Sequence, residues 1–461
     1  MAALLDVGRA YDVALTAPAR PALTYLALRD QIQRTVTALN GLGIGRNDAV
    51  AIVLPNGPEL ACAFLGIAAA ASAAPLNPAY QSEDFRFYLS DLGAKALVLA
   101  SGADSPALAV AAELGIPVLR ITHDGAEPAG CFTLTGERAG PACHDGFADA
   151  DDVALLLHTS GTTARPKRVP LTHANLAASA YHICDTLQLS PADRCLNVMP
   201  LFHIHGLVAG VLSSLAAGGS VFCAPGLNAP QFFRWLSEAK PTWYTAVPTM
   251  HQAVLAQVER HRAIVDEVKL RFIRSSSAAL PAGVMRRLEQ AFDAPVIESY
   301  GMTEAAHQMT SNLLPPAVRK PGSVGRAAGP EFAIMGPDGS LLSAGTVGEV
   351  VIRGPNVTAG YRDNAEANAQ AFRAGWFRTG DQGVMDQDGY LTLTGRLKEI
   401  INRGGEKVAP KEIDDALMEH AGVAAAAAFP LPHPTLGEEI GAAVVAATGA
   451  ELSEAALTHF L

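Results

Sequence analysis

Charged residues are scarce in this sequence, and it has no excess of basic residues. Asp, Glu, Lys and Arg make up 17% of the 461 residues, whereas hydrophobic residues make up 49%. The formal net charge is −11, so the overall field does not attract nucleic acids or acidic membranes. This composition argues against a disordered chain and indicates a globular protein with a large core, and the length favours more than one domain.

The six cysteines form no C-x-x-C pair, so we expect reduced, mostly buried thiols. The first residues, MAALLDVGRAYDVALT, lack the basic start and long apolar run of a signal peptide, and the last three, HFL, are not a peroxisomal Ser-Lys-Leu. The most apolar stretch, residues 60–76, is alanine-rich and slightly short for a membrane span of about 20 residues. We therefore expect a buried helix there, no membrane insertion and a cytoplasmic location.

Strand-like and helix-like runs alternate over much of residues 25–300, as in α/β folds with helix-covered parallel sheets. The predicted strands are residues 49–54 and 96–100, and the predicted helices are residues 59–71 and 175–187. After Gly329, the runs FAIMG and GEVVIRG are separated by Asp-Gly and Gly-Pro turns, which predicts a small β subdomain over residues 330–396. From Leu397 a last segment resembles the start of a separate small domain and ends in a predicted helix, SEAALTHFL.

The motif TSGTTARPK, residues 159–167, follows the apolar run 153–157, a predicted strand. Its hydroxyls, glycine and backbone N–H groups can form a nest for phosphate oxygens, and Arg165 and Lys167 can add charge-assisted hydrogen bonds. The alternative is an ordinary polar turn, and the spacing is not that of a Walker A loop. Taken alone, the motif favours a phosphate site but leaves the turn open.

A second motif, YGMTE at residues 300–304, follows the apolar run 294–297. Tyr300 offers a flat face to a purine, Thr303 offers a hydroxyl to a phosphate oxygen, and Glu304 offers a carboxylate to Mg²⁺. The same residues suit the end of a strand, with Thr303 as a helix cap and Glu304 in the first turn. Taken alone, the motif favours neither the nucleotide site nor the capped strand end.

A third motif, GWFRTGD at residues 375–381, is followed by GRLK at residues 395–398. Asp381 can accept hydrogen bonds from both ribose hydroxyls, which contribute about 1.5–3 kcal/mol each when the acceptor is charged. Arg396 can add a contact from the other side. The alternative is that both are turn residues near hairpins, such as the one predicted at Asp388-Gly389.

These motifs occur in one chain in this order, together with PLFHIHG and NRGGEKVAPKEID. The combination resembles the adenylate-forming superfamily of acyl-CoA synthetases, luciferases and peptide-synthetase adenylation domains. The resemblance implies an α/β fold: a large N-terminal domain of stacked α/β subdomains plus a small β-barrel at residues 1–396, then a small, incomplete C-terminal α+β domain at 397–461 with a hinge near Lys398. It also implies an AMP-forming acid–thiol ligase that uses ATP, Mg²⁺ and coenzyme A to convert a small carboxylic acid into an acyl-AMP and then a thioester.

Site residues follow from the same resemblance. Those implied to bind the nucleotide are Thr159, Ser160, Gly161, Thr162, Thr163, Ser277, Ala278, Glu298, Ser299, Tyr300, Gly301, Thr303, Asp381 and Arg396. Those implied to act in catalysis are Thr162, Lys167, His203, Thr303, Glu304 and Lys398, with Glu304 as the Mg²⁺ ligand. His203 is the implied gate between the acyl and coenzyme A sites, and Gly404 and Gly405 are implied to shape the pantetheine tunnel.

The sequence departs from the family pattern in three places. Ala164 and Arg168 stand where glycine is usual. The family's C-terminal Pro-x-x-x-x-Gly-Lys element is missing from the printed sequence, and its lysine bridges the carboxylate and the phosphates during adenylation. We expect a chain without that lysine to adenylate about 10²–10³ times more slowly.

Within the superfamily, the sequence most resembles the oxalyl-CoA synthetase and peroxisomal-CoA-synthetase-like group, through HTSGTTARPKRVPLTHANL, VMPLFHIHGL, FIRSSSAAL and YGMTEAAHQMTSN. Ser275, Ser276 and Ser277 replace the Gly-Gly-Ala loop of fatty-acid ligases and, with His203 and His307, form the implied acyl site. Such polar groups suit a second carboxylate, because an apolar tail would leave them unpaired. The sequence therefore predicts oxalate, with malonate or another short acid as the alternative. A plain turn for the serines and a partly exposed helical position for His307 also stay open.

Other functions stay open as well. One is a stand-alone adenylating enzyme that loads a carrier protein, and another is a non-catalytic nucleotide or acyl-AMP binding protein, which the missing lysine element motivates. The pair His203 and His205 has the spacing of a zinc site on a strand, but no Cys or acidic partner is placed nearby. The expected partners are a small carboxylic acid, ATP and coenzyme A, without nucleic acid, and both a monomer and a homodimer are open.

Overall fold

The computed structural model of the protein describes residues 2–140, 144–159, 166–447 and 449–460. In chain order, its strands are β1 Val13–Thr16, β2 Leu23–Thr24, β3 Ala49–Val53, β4 Ser72–Pro75, β5 Ala96–Ala100, β6 Val118–Thr122, β7 Thr133–Gly136, β8 Val153–Thr159, β9 Lys167–Thr172, β10 Arg194–Asn197, β11 Ser220–Cys223, β12 Trp243–Ala246, β13 Phe272–Ser275, β14 Val296–Met302, β15 His307–Ser311, β16 Arg326–Ala327, β17 Glu331–Met335, β18 Val347–Arg353, β19 Phe372–Arg373, β20 Trp376–Met385, β21 Leu391–Arg396, β22 Ile401–Arg403, β23 Glu406–Val408, β24 Val423–His433 and β25 Gly437–Ala446.

The α-helices are α1 Ala2–Leu5, α2 Tyr25–Gly41, α3 Pro58–Ala68, α4 Ser82–Leu92, α5 Pro106–Glu113, α6 His173–Leu187, α7 Ser213–Ala216, α8 Ala229–Ala239, α9 Pro248–Leu255, α10 Arg262–Glu267, α11 Ala282–Phe292, α12 Ala365–Ala371, α13 Pro410–Met418 and α14 Glu454–Phe460. A π-helix spans His205–Leu212, and 3₁₀ turns span Glu259–His261 and Thr303–Ala305. None of the helices in the described ranges is long and apolar enough to cross a membrane.

Two large, mostly parallel sheets form the first two thirds of the chain. The seven-stranded sheet has the order β7-β6-β5-β3-β4-β8-β9, and the nine-stranded sheet has the order β16-β15-β14-β13-β12-β10-β11-β1-β2. Their central strands are short apolar runs such as AVAIV and ALVLA, which pair in parallel because helices bury both of their faces. A continuous core joins the two sheets through α2, α3, α6 and the π-helix, which confirms the predicted α/β architecture.

The apolar stretch 60–76, predicted as one buried helix, is a helix, a turn and a strand. Helix α3 ends at Ala68, and β4 begins at Ser72 and pairs in parallel with β3. The prediction was therefore wrong beyond Ala68, because parallel pairing inside the sheet overrides the helix propensity of alanine. Residues 60–68 of the helix are all buried, as predicted.

Antiparallel sheets form the rest of the chain. Strands β17, β18, β20 and β19 pair in this order, and β21 adds to β20 through the predicted hairpin at Asp388-Gly389. The last sheet has the order β23-β22-β25-β24, with α13 packed against β24. Lys398 lies in an exposed turn between β21 and β22, where the hinge is predicted. The domain boundary at residues 396 and 397 stays a prediction.

Buried histidines make the fold sensitive to acid. His251 in α9 is fully buried, its Nδ1 lies 3.1 Å from the Tyr244 hydroxyl, and burial lowers its pKa to about 4. The unfolded chain binds this proton near pH 6.5, so the stabilisation is complete above that pH and is lost as the pH falls towards 4.

We predict that His251→Gln reduces the pH dependence of the unfolding free energy between pH 6.5 and 4.5 by about 1.4 kcal/mol per pH unit. Urea titrations at a series of pH values measure this slope in the wild type and the variant. The same slope in both proteins would show that His251 is not held neutral by the fold.

Candidate active site

The phosphate motif begins and ends in an antiparallel hairpin at the edge of the seven-stranded sheet. Thr159 ends β8 and pairs directly with Lys167, the first residue of β9. Four predicted nucleotide ligands lie outside the described residues, namely Ser160, Gly161, Thr162 and Thr163. The ammonium group of Lys167 lies 4.6 Å from the centre of the Tyr361 ring, which is the geometry of a cation–π contact.

The second motif lies at the carboxyl end of β14 in the nine-stranded sheet. This strand continues to Met302, so Tyr300 lies within the strand rather than after it. Thr303 begins a 3₁₀ turn whose cap position is Met302, so the alternative of Thr303 as a cap is wrong. Gly301 has no room for a side chain, because a Cβ there would lie 1.9 Å from the carbonyl oxygen of His307 on β15.

Glu304 is buried in that turn, with 4% of the residue exposed. Its Oε1 accepts a 2.8 Å hydrogen bond from the Tyr361 hydroxyl. Burial raises the pKa of the Glu304 carboxyl, and the Tyr361 bond opposes this rise. One sheltered carboxylate fits Mg²⁺, which binds in proteins through one or two carboxylates plus substrate phosphates.

The zinc interpretation of the H-x-H pair gains no support. His203 is exposed, whereas His205 is buried with its Nδ1 3.0 Å from the Ser277 hydroxyl and its Nε2 2.6 Å from the Thr245 hydroxyl. In the part of the chain that the structure describes, no group of three or more His, Cys, Asp or Glu could hold a metal ion.

Asp381, Arg396 and Tyr300 come together from three strands. Asp381 faces Arg396 across the β20–β21 pair, with Arg396 Nε 3.1 Å from Asp381 Oδ1. The Tyr300 hydroxyl donates to Asp381 Oδ2. Asp381 is 7% exposed, and its burial raises the pKa of the carboxyl. This group can hold a nucleoside, because the Tyr300 ring can stack on the base and the Asp381 carboxylate can accept hydrogen bonds from the two ribose hydroxyls.

The neighbouring predicted nucleotide ligands have structural contacts of their own. Glu298 is buried, accepts a 3.0 Å hydrogen bond from the Leu280 N–H, and has its pKa raised to about 7 by desolvation. The carbonyl of Ser299 accepts a 2.9 Å hydrogen bond from the Ser276 hydroxyl. Ala278 lies exposed just beyond β13.

The predicted acyl residues lie at different depths. Ser275 and Ser276 are buried, whereas Ser277 is exposed, with a φ of +73°, and bonds to His205. His307 is 1% exposed and begins β15, so the alternative of a partly exposed helical histidine is wrong. The motif YGMTEAAH therefore crosses from one strand to the next through the 3₁₀ turn, without an α-helix.

Sequence reasoning missed Arg274, the fully buried third residue of β13. Its guanidinium donates to His307 Nε2 at 3.2 Å and to His205 Nε2 at 3.4 Å, and the two imidazole rings stack at 4.9 Å. A further bond joins it to the Gln308 side chain at 3.3 Å. Arginine inside an otherwise apolar strand, FIRSS, is the signal that could have revealed it.

Arg274 has no counter-charge among the residues that the structure describes. No Asp or Glu there shifts the pKa of its guanidinium, and its Nε and the neighbouring Ser275 hydroxyl have no hydrogen-bond partner. Burial lowers the pKa of its guanidinium to about 9. Because an unpaired buried charge is costly, this cluster is suited to receive an anion.

The residues implied for coenzyme A lie farther along the chain. Gly404 and Gly405 form the turn between β22 and β23, with φ angles of +61° and +101° that favour glycine. His203 lies exposed before the π-helix and packs against Phe202 with ring centres 4.7 Å apart. The roles of these residues, and of Lys398, stay predictions.

The AMP-binding enzyme family model matches residues 9–362, and the chain belongs to this family. The probable CoA ligase CCL9 of Humulus lupulus is 46% identical over 448 residues, covering 95% of this chain and 84% of that protein. An oxalate–CoA ligase of Arabidopsis thaliana is 45% identical over 444 residues, covering 95% and 86%. ATP-bound MatB from Rhodopseudomonas palustris has the same fold, with a TM-score of 0.88, 30% identity and coverage of 100% of this chain and 90% of that chain.

These comparisons confirm the resemblance on which the site residues were predicted, and they confirm the fold class. They do not test the individual site residues, which stay predictions.

We predict that Asp381→Ala weakens the binding of both ATP and AMP by about 1–3 kcal/mol, because the ribose loses its charged acceptor. Isothermal titration calorimetry measures both affinities. Asp388→Ala, in the exposed hairpin of the same sheet, is the matched control and leaves both affinities unchanged. Wild-type ATP affinity in the Asp381 variant would remove this residue from the site.

Proposed function

We propose that this protein is an ATP-dependent oxalate–CoA ligase that forms oxalyl-AMP with release of pyrophosphate and then transfers the oxalyl group to coenzyme A. The observation that carries the choice of acid is the buried Arg274, which lacks a counter-charge beside the predicted acyl residues. The similarity to an oxalate–CoA ligase along 95% of the chain supports the same choice.

The nucleotide is proposed to lie between the two large sheets and the five-stranded sheet. Tyr300 stacks on the adenine, and Asp381 with Arg396 binds the ribose. Lys167 and Thr303 lie at the two strand ends that face the phosphates. Glu304 would hold Mg²⁺, which would neutralise phosphate charge during adenylation.

Oxalate makes a specific demand on the acyl site. One carboxylate attacks the α-phosphorus, while the other keeps its negative charge and needs a partner. Burial lowers the pKa of both His205 and His307 well below 6.5, so both rings are neutral near pH 7. The charge of Arg274 adds to this effect at His307, and at His205 the neighbouring His307 and then Arg274 add to it. The cluster therefore carries one positive charge, which matches the one carboxylate that does not react.

The other acids and functions make different demands. Malonate shares the second carboxylate and stays the alternative substrate, whereas an aliphatic tail would leave the charge of Arg274 without a counter-ion and the Ser275 hydroxyl without a hydrogen-bond partner. A carrier-loading enzyme would prefer holo-carrier protein over coenzyme A as acceptor. A purely binding protein would have no need of Glu304 beside the nucleotide anchor.

A cytoplasmic location is part of the proposal. Its support is that Cys62, Cys131, Cys184, Cys195 and Cys223 are all free thiols, as expected in a reducing compartment.

We predict that the protein activates oxalate best, malonate second and octanoate poorly in a pyrophosphate-release assay at equal acid concentrations. The reason is that only the diacids supply an anion to Arg274. A preference for octanoate over oxalate would overturn the choice of acid while leaving the ligase class in place.

We predict that Arg274→Met lowers kcat/KM for oxalate about 100-fold, because the buried positive charge is lost while the side-chain volume is kept. Activity with acetate, which has no second carboxylate, changes little, and calorimetric ATP affinity stays at the wild-type value. Arg271→Met, at the half-exposed start of the same strand region, is the control. Equal losses for oxalate and acetate would show that Arg274 supports the fold rather than the second carboxylate.

A further inference from the structure

Arg168 joins three parts of the chain next to the proposed phosphate site. It is the second residue of β9, and its side chain is 10% exposed. The guanidinium lies 2.5 Å from the Asp363 carboxylate, donates to the Asp91 carbonyl, and has its Nε 3.9 Å from the Asp91 carboxylate. Asp91 belongs to α4, whereas Asp363 precedes α12. Arg168 therefore ties the edge of the seven-stranded sheet to two other elements.

Residues 354–364, which connect β18 to α12, are called the bridging segment here. The Arg362 N–H donates to the Arg168 carbonyl at 3.0 Å, and the Thr358 hydroxyl donates to a carbonyl of β9 at 2.8 Å. The Thr358 N–H donates to the Glu304 carbonyl at 2.7 Å. The bridging segment thus spans from β9 in one large sheet to the Glu304 turn in the other.

Tyr361 occupies the middle of this bridge. Its hydroxyl bonds to the Glu304 carboxylate at 2.8 Å, and its ring faces the Lys167 ammonium at 4.6 Å. Its backbone is fixed by Asn368 of α12, through bonds of 2.7 Å to its N–H and 2.9 Å to its carbonyl. The position of the bridging segment therefore sets the distance between Lys167 and Glu304.

We propose that Arg168 is a positioning residue for the triphosphate. From β9 it contacts Asp363 of the bridging segment and Asp91 of α4, and these contacts place Lys167 and Glu304 to act on ATP together. This rests on the proposed function only for the assignment of Lys167 and Glu304 to the phosphates and Mg²⁺. Arg168 stands where glycine is usual in the family, and a glycine has no side chain with which to make these contacts. It acts through other residues and does not touch the nucleotide.

The contrast between ATP and AMP tests this role. Arg168→Gln keeps a long polar side chain but removes the charge. We expect its dissociation constant for ATP with Mg²⁺, measured by calorimetry, to rise about tenfold, and that for AMP to stay within about twofold, since a misplaced group costs affinity only for the part of the ligand that it holds. AMP depends on the Tyr300–Asp381 anchor, which Arg168 does not contact.

A second variant breaks the same ion pair without changing Arg168, so a folding defect caused by the Arg168 substitution cannot explain its result. Asp363 has a φ of +55°, a conformation that asparagine adopts readily, so Asp363→Asn removes the charge without straining the backbone. It should weaken ATP binding in the same direction but less, about threefold, and the double variant should be no weaker than Arg168→Gln because the two residues are coupled.

Arg46→Gln is the matched control. Arg46 also lies between two aspartates, Asp149 and Asp152, but near the start of β8 and therefore at the other end of that strand from Thr159. We expect it to change neither nucleotide affinity. Equal weakening of ATP and AMP by Arg168→Gln, or no change in either, would overturn the positioning role. These titrations contain no acid, so a wrong assignment of oxalate would leave their outcome unchanged.

Discussion

The buried carboxylate of Glu304 and its hydrogen bond to Tyr361 form the contact on which the site depends. Glu304 follows β14 of the nine-stranded sheet, Lys167 begins β9 of the seven-stranded sheet, and Tyr361 comes from the segment leading out of the five-stranded sheet. Parallel strands bring their carboxyl ends to one edge, which is where ligands bind in open α/β sheets. Here the two large sheets and the segment that carries Tyr361 meet beside the Glu304 carboxylate.

Much of this arrangement could be predicted from local sequence. Short apolar runs predicted β3 and β5 correctly, and Asp388-Gly389 predicted the hairpin before β21. The grouping of Tyr300, Asp381 and Arg396 was also predictable, because they lie in motifs whose order along the chain is specific, and the structure brings these three residues into contact. Their role in holding the nucleotide stays a prediction.

Long-range contacts could not be predicted in this way. Tyr361 and Arg274 lie in none of the motifs, and their importance follows from hydrogen bonds to residues far away in sequence. Tyr361 bonds to Glu304, and Arg274 bonds to His205 and His307. A helical position for His307 was left open as the alternative to its place in the acyl site, but the 3₁₀ turn leads the chain into β15. Tertiary pairing overrides local preference at such positions.

The central claim is that this chain joins oxalate to AMP and then to coenzyme A. The most direct measurement is mass spectrometry of a reaction with ¹³C-labelled oxalate, ATP and Mg²⁺, sampled before and after coenzyme A is added. The account predicts labelled oxalyl-AMP with an equal amount of pyrophosphate before the addition, and labelled oxalyl-CoA with AMP after it. Release of ADP and phosphate, or ATP turnover that leaves the label in free oxalate, would contradict it.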